Sequence, residues 1–334
     1  MKKLTAVFMT LLLVFSLSFV GCGMSEKQTI KEQTKENEIV KVGSLKGPTS
    51  IGLVSLMEQA EQKKTQGNYE FTMESGADAL MAGMLKGDLD IALIPANVAS
   101  IWYQKMNQAV QVIDINTLGV LYMVSTDTSL TTIESLKGKT IVLTGKGNTP
   151  DYTLQYLLKE HGLTTKDVTL EYKSEAAEVV NSLAQGQADI GLLPQPFVTV
   201  ACAKNKNLQV VMDMTEQWNQ VQGKDGSQLV TGVTIVRKEF LEQHKDAVDT
   251  FMQEQKASVA YVNDNPKQAA ELVAKQGIIE QAELAEKAIP KCNITYIDGA
   301  DMKQALQGYL SVLYNLDKKM VGGNLPADDF YYVQ

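Results

Sequence analysis

The chain has 334 residues, 44% hydrophobic and 21% charged, with a formal charge of −8 at pH 7. These values suit a two-domain globular protein rather than a disordered or fibrous one. No basic stripe is present to neutralise phosphates, which excludes nucleic acid as a partner. Two His and three Cys leave too few N and S donors for the roughly four that a zinc site takes, so no metal and no cofactor is expected.

Residues 1–21 place Lys2 and Lys3 ahead of an apolar run from Leu4 to Val20 and end on small residues, the layout of a secretory signal. The run has 17 residues, interrupted by Ser and Thr, and falls short of the about 20 that a membrane-spanning helix needs. Phe19-Val20-Gly21-Cys22 resembles the lipobox of bacterial lipoproteins. That resemblance implies a lipid on Cys22 and an extracytoplasmic protein anchored to the outer face of the cell membrane. Residues 22–38 are nearly all polar and read as a flexible tether, because they bury too little to offset the entropy of ordering.

The globular part starts near Ile39 and contains an internal duplication. Residues 69–100 and 168–199 align without a gap at an offset of 99, with identities at Ser75/Ser174, Ala77/Ala176, Gly87/Gly186, Asp90/Asp189, Ile91/Ile190, Leu93/Leu192 and Pro95/Pro194. Each copy reads as an alternating strand, a polar turn, an amphipathic helix stopped by Gly, and a buried strand ending at Pro. Upstream, Lys46-Gly47-Pro48 and Lys146-Gly147 each stand between a strand and a helix. Each copy is thus β-α-β-α-β, the pattern of a parallel α/β sheet. Two copies imply two similar lobes; one larger sheet running through both is the alternative.

Beyond the second copy, LQVVMDM (208–214) reads as a strand, 216–227 as a polar loop and LVTGVTIVR (229–237) as a strand. From Lys238 onward the pattern is almost entirely helical, at 240–263, 266–276, 280–289 and 302–316. These helices pack most economically on the first lobe. Lobe one is then discontinuous, 39–122 with 232–334, lobe two is 123–231, and the hinge lies near 122–125 and 229–232. Cys202 and Cys292 fall in different regions and read as buried free thiols.

In open α/β sheets, ligands bind outside the carboxyl ends of the strands. Two lobes facing across a hinge set two such edges on one cleft. The loops there, 44–49, 74–76 and 95–98 in lobe one and 144–149, 173–175 and 194–197 in lobe two, are mostly neutral and hydrogen-bonding. Candidate ligand-binding residues are Ser44, Lys46, Gly47, Pro48, Thr49, Ser75, Pro95, Asn97, Tyr122, Gly145, Asn148, Thr149, Tyr152, Gln195 and Phe197, with Trp102 a weaker candidate. The helix starts after Gly47 and Asn148 would offer backbone N–H groups to an anionic or acceptor-rich group, or would simply be capped starts beside solvated lysines. Glu74 and Lys173 stand at matched positions, to read a zwitterion or to bridge the closed cleft. No GxSxG, HExxH or P-loop is present. His161 precedes a helix-ending Gly and His244 lies in the polar stretch EQHKD, both structural settings.

The LKGPTSIGLV turn, the LKGDLDIALIP and LAQGQADIGLLPQPFVT pair, the SLKGKTIVLTGKGNTPDYTLQYLLKEHGL segment and the return strand into VRKEFLEQHKDAVDTF together resemble the extracytoplasmic substrate-binding proteins of ABC importers. The group meant is the one that includes nitrate, taurine, aliphatic-sulfonate and pyrimidine-precursor binders. The resemblance implies a two-lobed, type II periplasmic-binding-protein-like α/β fold, each lobe a mixed or parallel sheet flanked by helices with the ligand cleft between them. It implies a non-enzymatic, monomeric protein that delivers a small solute to an ABC permease. Gln195-Pro196-Phe197 looks like the family's Glu-Pro-Phe with the acid replaced, which disfavours a cationic ligand. A sensor or adaptor lipoprotein, and a pyrimidine-precursor-related enzyme of the same fold, are the alternatives.

Overall fold

Apolar runs and amphipathic helices alternate along the chain and sort into two sheets. The computed structural model describes residues 38–223 and 226–333; the leader, the lipobox with Cys22 and the tether to residue 37 lie outside the described residues. The first sheet begins with β1 (Ile39–Leu45), the one-turn helix α1 (Pro48–Ile51) and α2 (Val54–Glu61). Then come β2 (Asn68–Glu74), α3 (Ala77–Lys86), β3 (Ile91–Pro95), α4 (Ala96–Lys105) and β4 (Val110–Leu118). The second sheet takes β5 (Leu121–Ser125), β6 (Thr140–Leu143), α5 (Thr149–Glu160), β7 (Thr169–Tyr172) and α6 (Ala176–Ala184), then β8 (Ile190–Pro194), α7 (Phe197–Lys204), β9 (Gln209–Asp213) and α8 (Met214–Gln222). The chain returns through β10 (Val230–Arg237), α9 (Lys238–Gln243), α10 (Lys245–Asp264), α11 (Pro266–Lys275), α12 (Ala282–Ala288), β11 (Ile294–Asp298) and α13 (Gly299–Leu316).

The strand orders are β11-β4-β10-β3-β1-β2 and β7-β6-β8-β5-β9. In each sheet the first three strands of the copy are parallel. A fourth, antiparallel strand, β10 in one and β5 in the other, fills the slot before the copy's last strand. The offset of 99 maps α3 onto α6 and β3 onto β8, and extends to the starts of β4 and β9. Two sheets form, not one continuous sheet. The backbone passes between them at residues 119–120 and again between α8 and β10.

Period-two alternation in β3 decides which face each residue covers. Ile91 and Leu93 pack with α2 and α10 residues such as Leu56 and Phe251, while Ala92 and Ile94 pack with α3 and α4 residues such as Leu80 and Trp102. Trp102 is therefore core. Gly87 ends α3 in the left-handed conformation, φ 75°, which a glycine adopts without the Cβ penalty. Next to it the buried Asp90 carboxylate accepts from Lys41 N–H at 3.0 Å and pairs with Arg237 Nη2 at 2.8 Å, tying β1 and β10 to the entry of β3.

Two expectations change here. Residues 214–222 form α8 rather than a polar loop, because Met214, Trp218 and Val221 make an apolar stripe that packs into the core. The segment after Lys238 is not wholly helical: β11 adds an antiparallel edge to β4, its Ile294 buried and Tyr296 packed on the core. Of the two thiols, Cys292 is fully buried, its thiol pushed up by desolvation; Cys202 is only half-buried.

Candidate functional site

The carboxyl ends of β1, β2 and β3 and of β6, β7 and β8 open on one cleft of about 890 Å3. Nine of the residues expected there line it: Lys46, Pro48, Thr49, Ser75, Pro95, Gly145, Asn148, Thr149 and Phe197. Pro48 starts α1 and Asn148 caps α5 with extended backbone, so both helices begin at the cleft wall. Gly232 on β10 keeps this floor closely packed: a Cβ there would stand 2.7 Å from Thr49 Cγ2 and 2.5 Å from Asn116 Oδ1.

The other six expected residues do other work. Ser44 is buried under α1 and accepts from Ser50 Oγ at 2.8 Å. Gly47 forms the turn at φ 147°, a conformation that favours glycine. Asn97, fully buried, donates from Nδ2 to Gly147 O at 3.2 Å and accepts at Oδ1 from Thr149 Oγ1 at 3.3 Å. It joins the two lobes beneath the cleft rather than facing it. Tyr122 donates its hydroxyl to Lys291 O at 3.3 Å, and burial pushes its phenol up to about 12. Tyr152 packs on the core as a half-buried ring, its phenol also raised by burial. Gln195 is buried and accepts at Oε1 from Thr199 N–H and Oγ1, at 3.3 and 2.9 Å, holding the start of α7.

The helix starts in lobe two are satisfied from within. Asp151, buried in the first turn of α5, accepts from Gly147 N–H at 2.8 Å, from Gln155 Nε2 at 2.7 Å and from the Tyr172 hydroxyl at 2.7 Å. Glu178 in the first turn of α6 accepts from Ser174 N–H at 2.9 Å. Both carboxylates sit where the helix dipole favours a negative charge. Lys146 lies with Nζ 5.4 Å from the Tyr172 ring centroid. Glu74 and Lys173 are not among the residues lining the cleft.

The sequence gives weaker notice of other parts of the wall. Thr231, at the return into lobe one, lines the cleft; the residue is 8% exposed, and its hydroxyl oxygen, itself shielded from solvent, has no hydrogen-bond partner. Residues 277–281 of the α11–α12 turn and Leu284 of α12 line the cleft together with Val200 and Lys204 of α7. The only advance sign was an apolar Ile278-Ile279 pair after Gly277. Both His lie away from this wall: His161 Nδ1 is 2.7 Å from Glu134 and the His244 ring stacks 4.8 Å from Phe240.

A family profile described as NMT1/THI5 like matches residues 103–269, half of the chain. No curated protein matches the chain. Among solved structures, the chain is similar to an ABC transporter protein from Parabacteroides distasonis, at 24% identity and TM-score 0.73 over 88% of this chain and 98% of that one. It is similar to the periplasmic aliphatic sulphonate binding protein SsuA of Escherichia coli, at 14% identity and TM-score 0.71, covering 88% and 92%. A Candida albicans protein with the generic periplasmic binding protein fold aligns at 16% identity and TM-score 0.58, covering 88% and 93%. The two mixed α/β sheets are therefore those of the periplasmic binding protein fold.

Proposed function

The chain belongs to the NMT1/THI5-like family, and from that premise we propose that it is the solute-binding component of an ABC importer. It captures a small anionic or acceptor-rich organic solute between its lobes and delivers it to a membrane permease. The observation that carries this reading is the single cleft walled by matching strand ends of both copies, since a ligand touching both walls binds the closed form better than the open one and shifts the equilibrium toward it. Similarity to an aliphatic sulphonate binding protein supports the reading. The wall has neither His nor Cys among its residues, so it offers no imidazole base and no thiol nucleophile. Among the described residues no helix is long and apolar enough to cross a membrane. Anchoring through lipid on Cys22, with residues 22–38 as the tether, is part of the proposal, as are the extracytoplasmic location and the monomeric state. The two lobes proposed from the sequence, 39–122 with 232–334 and 123–231, are drawn here to follow the sheets, with all of β5 in lobe two and all of β10 in lobe one.

Thermal unfolding against sulfonates, carboxylates, nitrate-like anions, amino acids and pyrimidine precursors tests the reading. A true ligand at about 100 times its Kd stabilises the fold by about 2.7 kcal/mol, an upward shift in Tm of several degrees. A well-folded sample, free of co-purified small molecules, that no class shifts would count against solute binding.

A further inference from the structure

The lobes meet along two flanks, and helices from the C-terminal third of the chain cover both of them unequally. On one flank α13 of lobe one lies against α5 and α8 of lobe two. Leu154 and Leu157 of α5, Trp218 of α8, and Leu306, Tyr309 and Leu310 of α13 belong to one buried apolar cluster, in which the Trp218 ring touches those of both Tyr156 and Tyr309. The connection between α8 and β10 is held in the same seam. Gln222 Oε1 accepts from Ser227 N–H and from Ser227 Oγ, both at 3.1 Å, and a Cβ at Gly308 of α13 would stand 3.1 Å from Ser227 Cβ. Asn97 extends the seam beneath the cleft floor through its hydrogen bonds to Gly147 O and Thr149 Oγ1. Such close-packed contacts between large rings do not slide by small steps.

The other flank is made of smaller side chains. There α11 and α12 pack on one another and on α2 and α10 of lobe one, through residues such as Ala270, Val273, Ala285, Val54 and Val259. To this cluster α6 and α7 of lobe two contribute only the half-buried Val200. Among the described residues no hydrogen bond or ion pair joins α6 or α7 to α11, α12 or the turn between them; Lys204 Nζ turns back to Asn181 Oδ1 of its own lobe at 3.4 Å. The Tyr122 hydroxyl does reach Lys291 O, just past α12, but from β5 beside the first crossover, where a hinge has to lie. The cleft itself runs out along this flank. Val180 and Asn181 of α6 and Ala203 and Lys204 of α7 line it together with Ile278 and Leu284.

We infer that lobe two turns about the α13 seam, so that the cleft opens and closes on the flank between α6–α7 and the α11–α12 turn, which is the solute's gate. Parting the lobes there gives up the contact of Val200 and no hydrogen bond between those helices. Parting them along α13 would break the Trp218 ring packing and the bonds of Asn97. Hinged closure concentrates its movement where little holds the halves together. This rests on the solute-binding reading and adds to it the side from which the solute enters.

Dipolar EPR on two pairs of exposed positions tests it, in a chain carrying Cys22→Ala and Cys202→Ala and freed of co-purified small molecules; Cys292 stays, being fully buried. The gate pair is Lys204→Cys with Glu280→Cys, and the seam pair is Lys159→Cys with Asn315→Cys on α5 and α13. In solution the gate pair should populate separations that depart by several ångströms from the one in this structure, and the seam pair should keep its own. The distance distribution of the gate pair should be about twofold wider than that of the seam pair. A seam pair that departs as far as the gate pair, or a gate pair that holds the separation seen here, overturns the inference. Either of these results leaves solute binding intact, because the thermal-unfolding panel tests that reading by itself.

Discussion

Asp114 lies on β4 with no exposure to solvent, in a cluster that sits behind the cleft floor. Its Oδ1 accepts from Thr234 Oγ1 at 2.9 Å and from Gln255 Nε2 at 3.1 Å, and Asn116 Nδ2 donates to Thr234 Oγ1 at 3.1 Å. Desolvation pushes its carboxyl up to about 8, with Asp298, its register partner on β11, adding repulsion. Two buried acceptors here, Asp114 Oδ2 and Gln255 Oε1, have no donor, and a proton on Oδ2 supplies one. The folded chain thus keeps this proton to about pH 8, while the unfolded chain releases it above about pH 4. Stability from this group is present at low pH and lost as pH rises through that window, the sign for a raised acid. In urea unfolding, Asp114→Asn, which cannot titrate, should become more stable relative to wild type on going from about pH 5 to about pH 8. A constant difference would mean that Asp114 ionises in the fold. None of this was legible in the sequence, where Asp114 is one polar residue in a strand. The strand-end residues that line the cleft were legible, because strand ends follow from the pattern. Side-chain direction does not follow from it: Asn97 sits beside a cleft residue yet turns its amide to the other lobe.

At the scale of elements, α8 carries more weight than its length suggests. Trp218 is fully buried, 4.7 Å by ring centroid from Tyr156 of α5 and 5.6 Å from Tyr309 of α13, and its Nε1 donates to Ser227 O at 2.8 Å. It joins lobe two to the last long helix of the chain. Trp218→Ala should cost about 3–5 kcal/mol, the range for emptying a large aromatic site, seen as a fall in the urea midpoint; a change below about 1 kcal/mol would mean that the site collapses around the gap. The helix escaped sequence reading because six of the nine residues in MTEQWNQVQ are polar, so three apolar positions at helical spacing passed for scattered ones. β11 escaped for a different reason. Five residues between helices give too short a run for periodicity to decide, although Ile294, Thr295, Tyr296 and Ile297 are all good strand formers. The duplicated elements, by contrast, were legible twice over, since each copy tested the other.

At the scale of the whole molecule, the connections between the sheets reorganise the duplication itself. β5 follows the first copy in sequence but lies between β8 and β9 of the second; β10 follows the second copy but lies between β3 and β4 of the first. Each half has lent the strand that follows it to the other, so the protein has the form of a strand-exchanged dimer whose two subunits are one polypeptide. Domain swapping is a low-cost route to such pairs, and the exchange leaves a half on its own with an open slot and a spare strand to fill it. Residues 126–237, carrying the second copy with β10 but without β5, should therefore recover a closed sheet by trading β10 between two molecules. Size-exclusion chromatography should show a two-fold dimer, and a folded monomer at the same concentration would contradict the exchange.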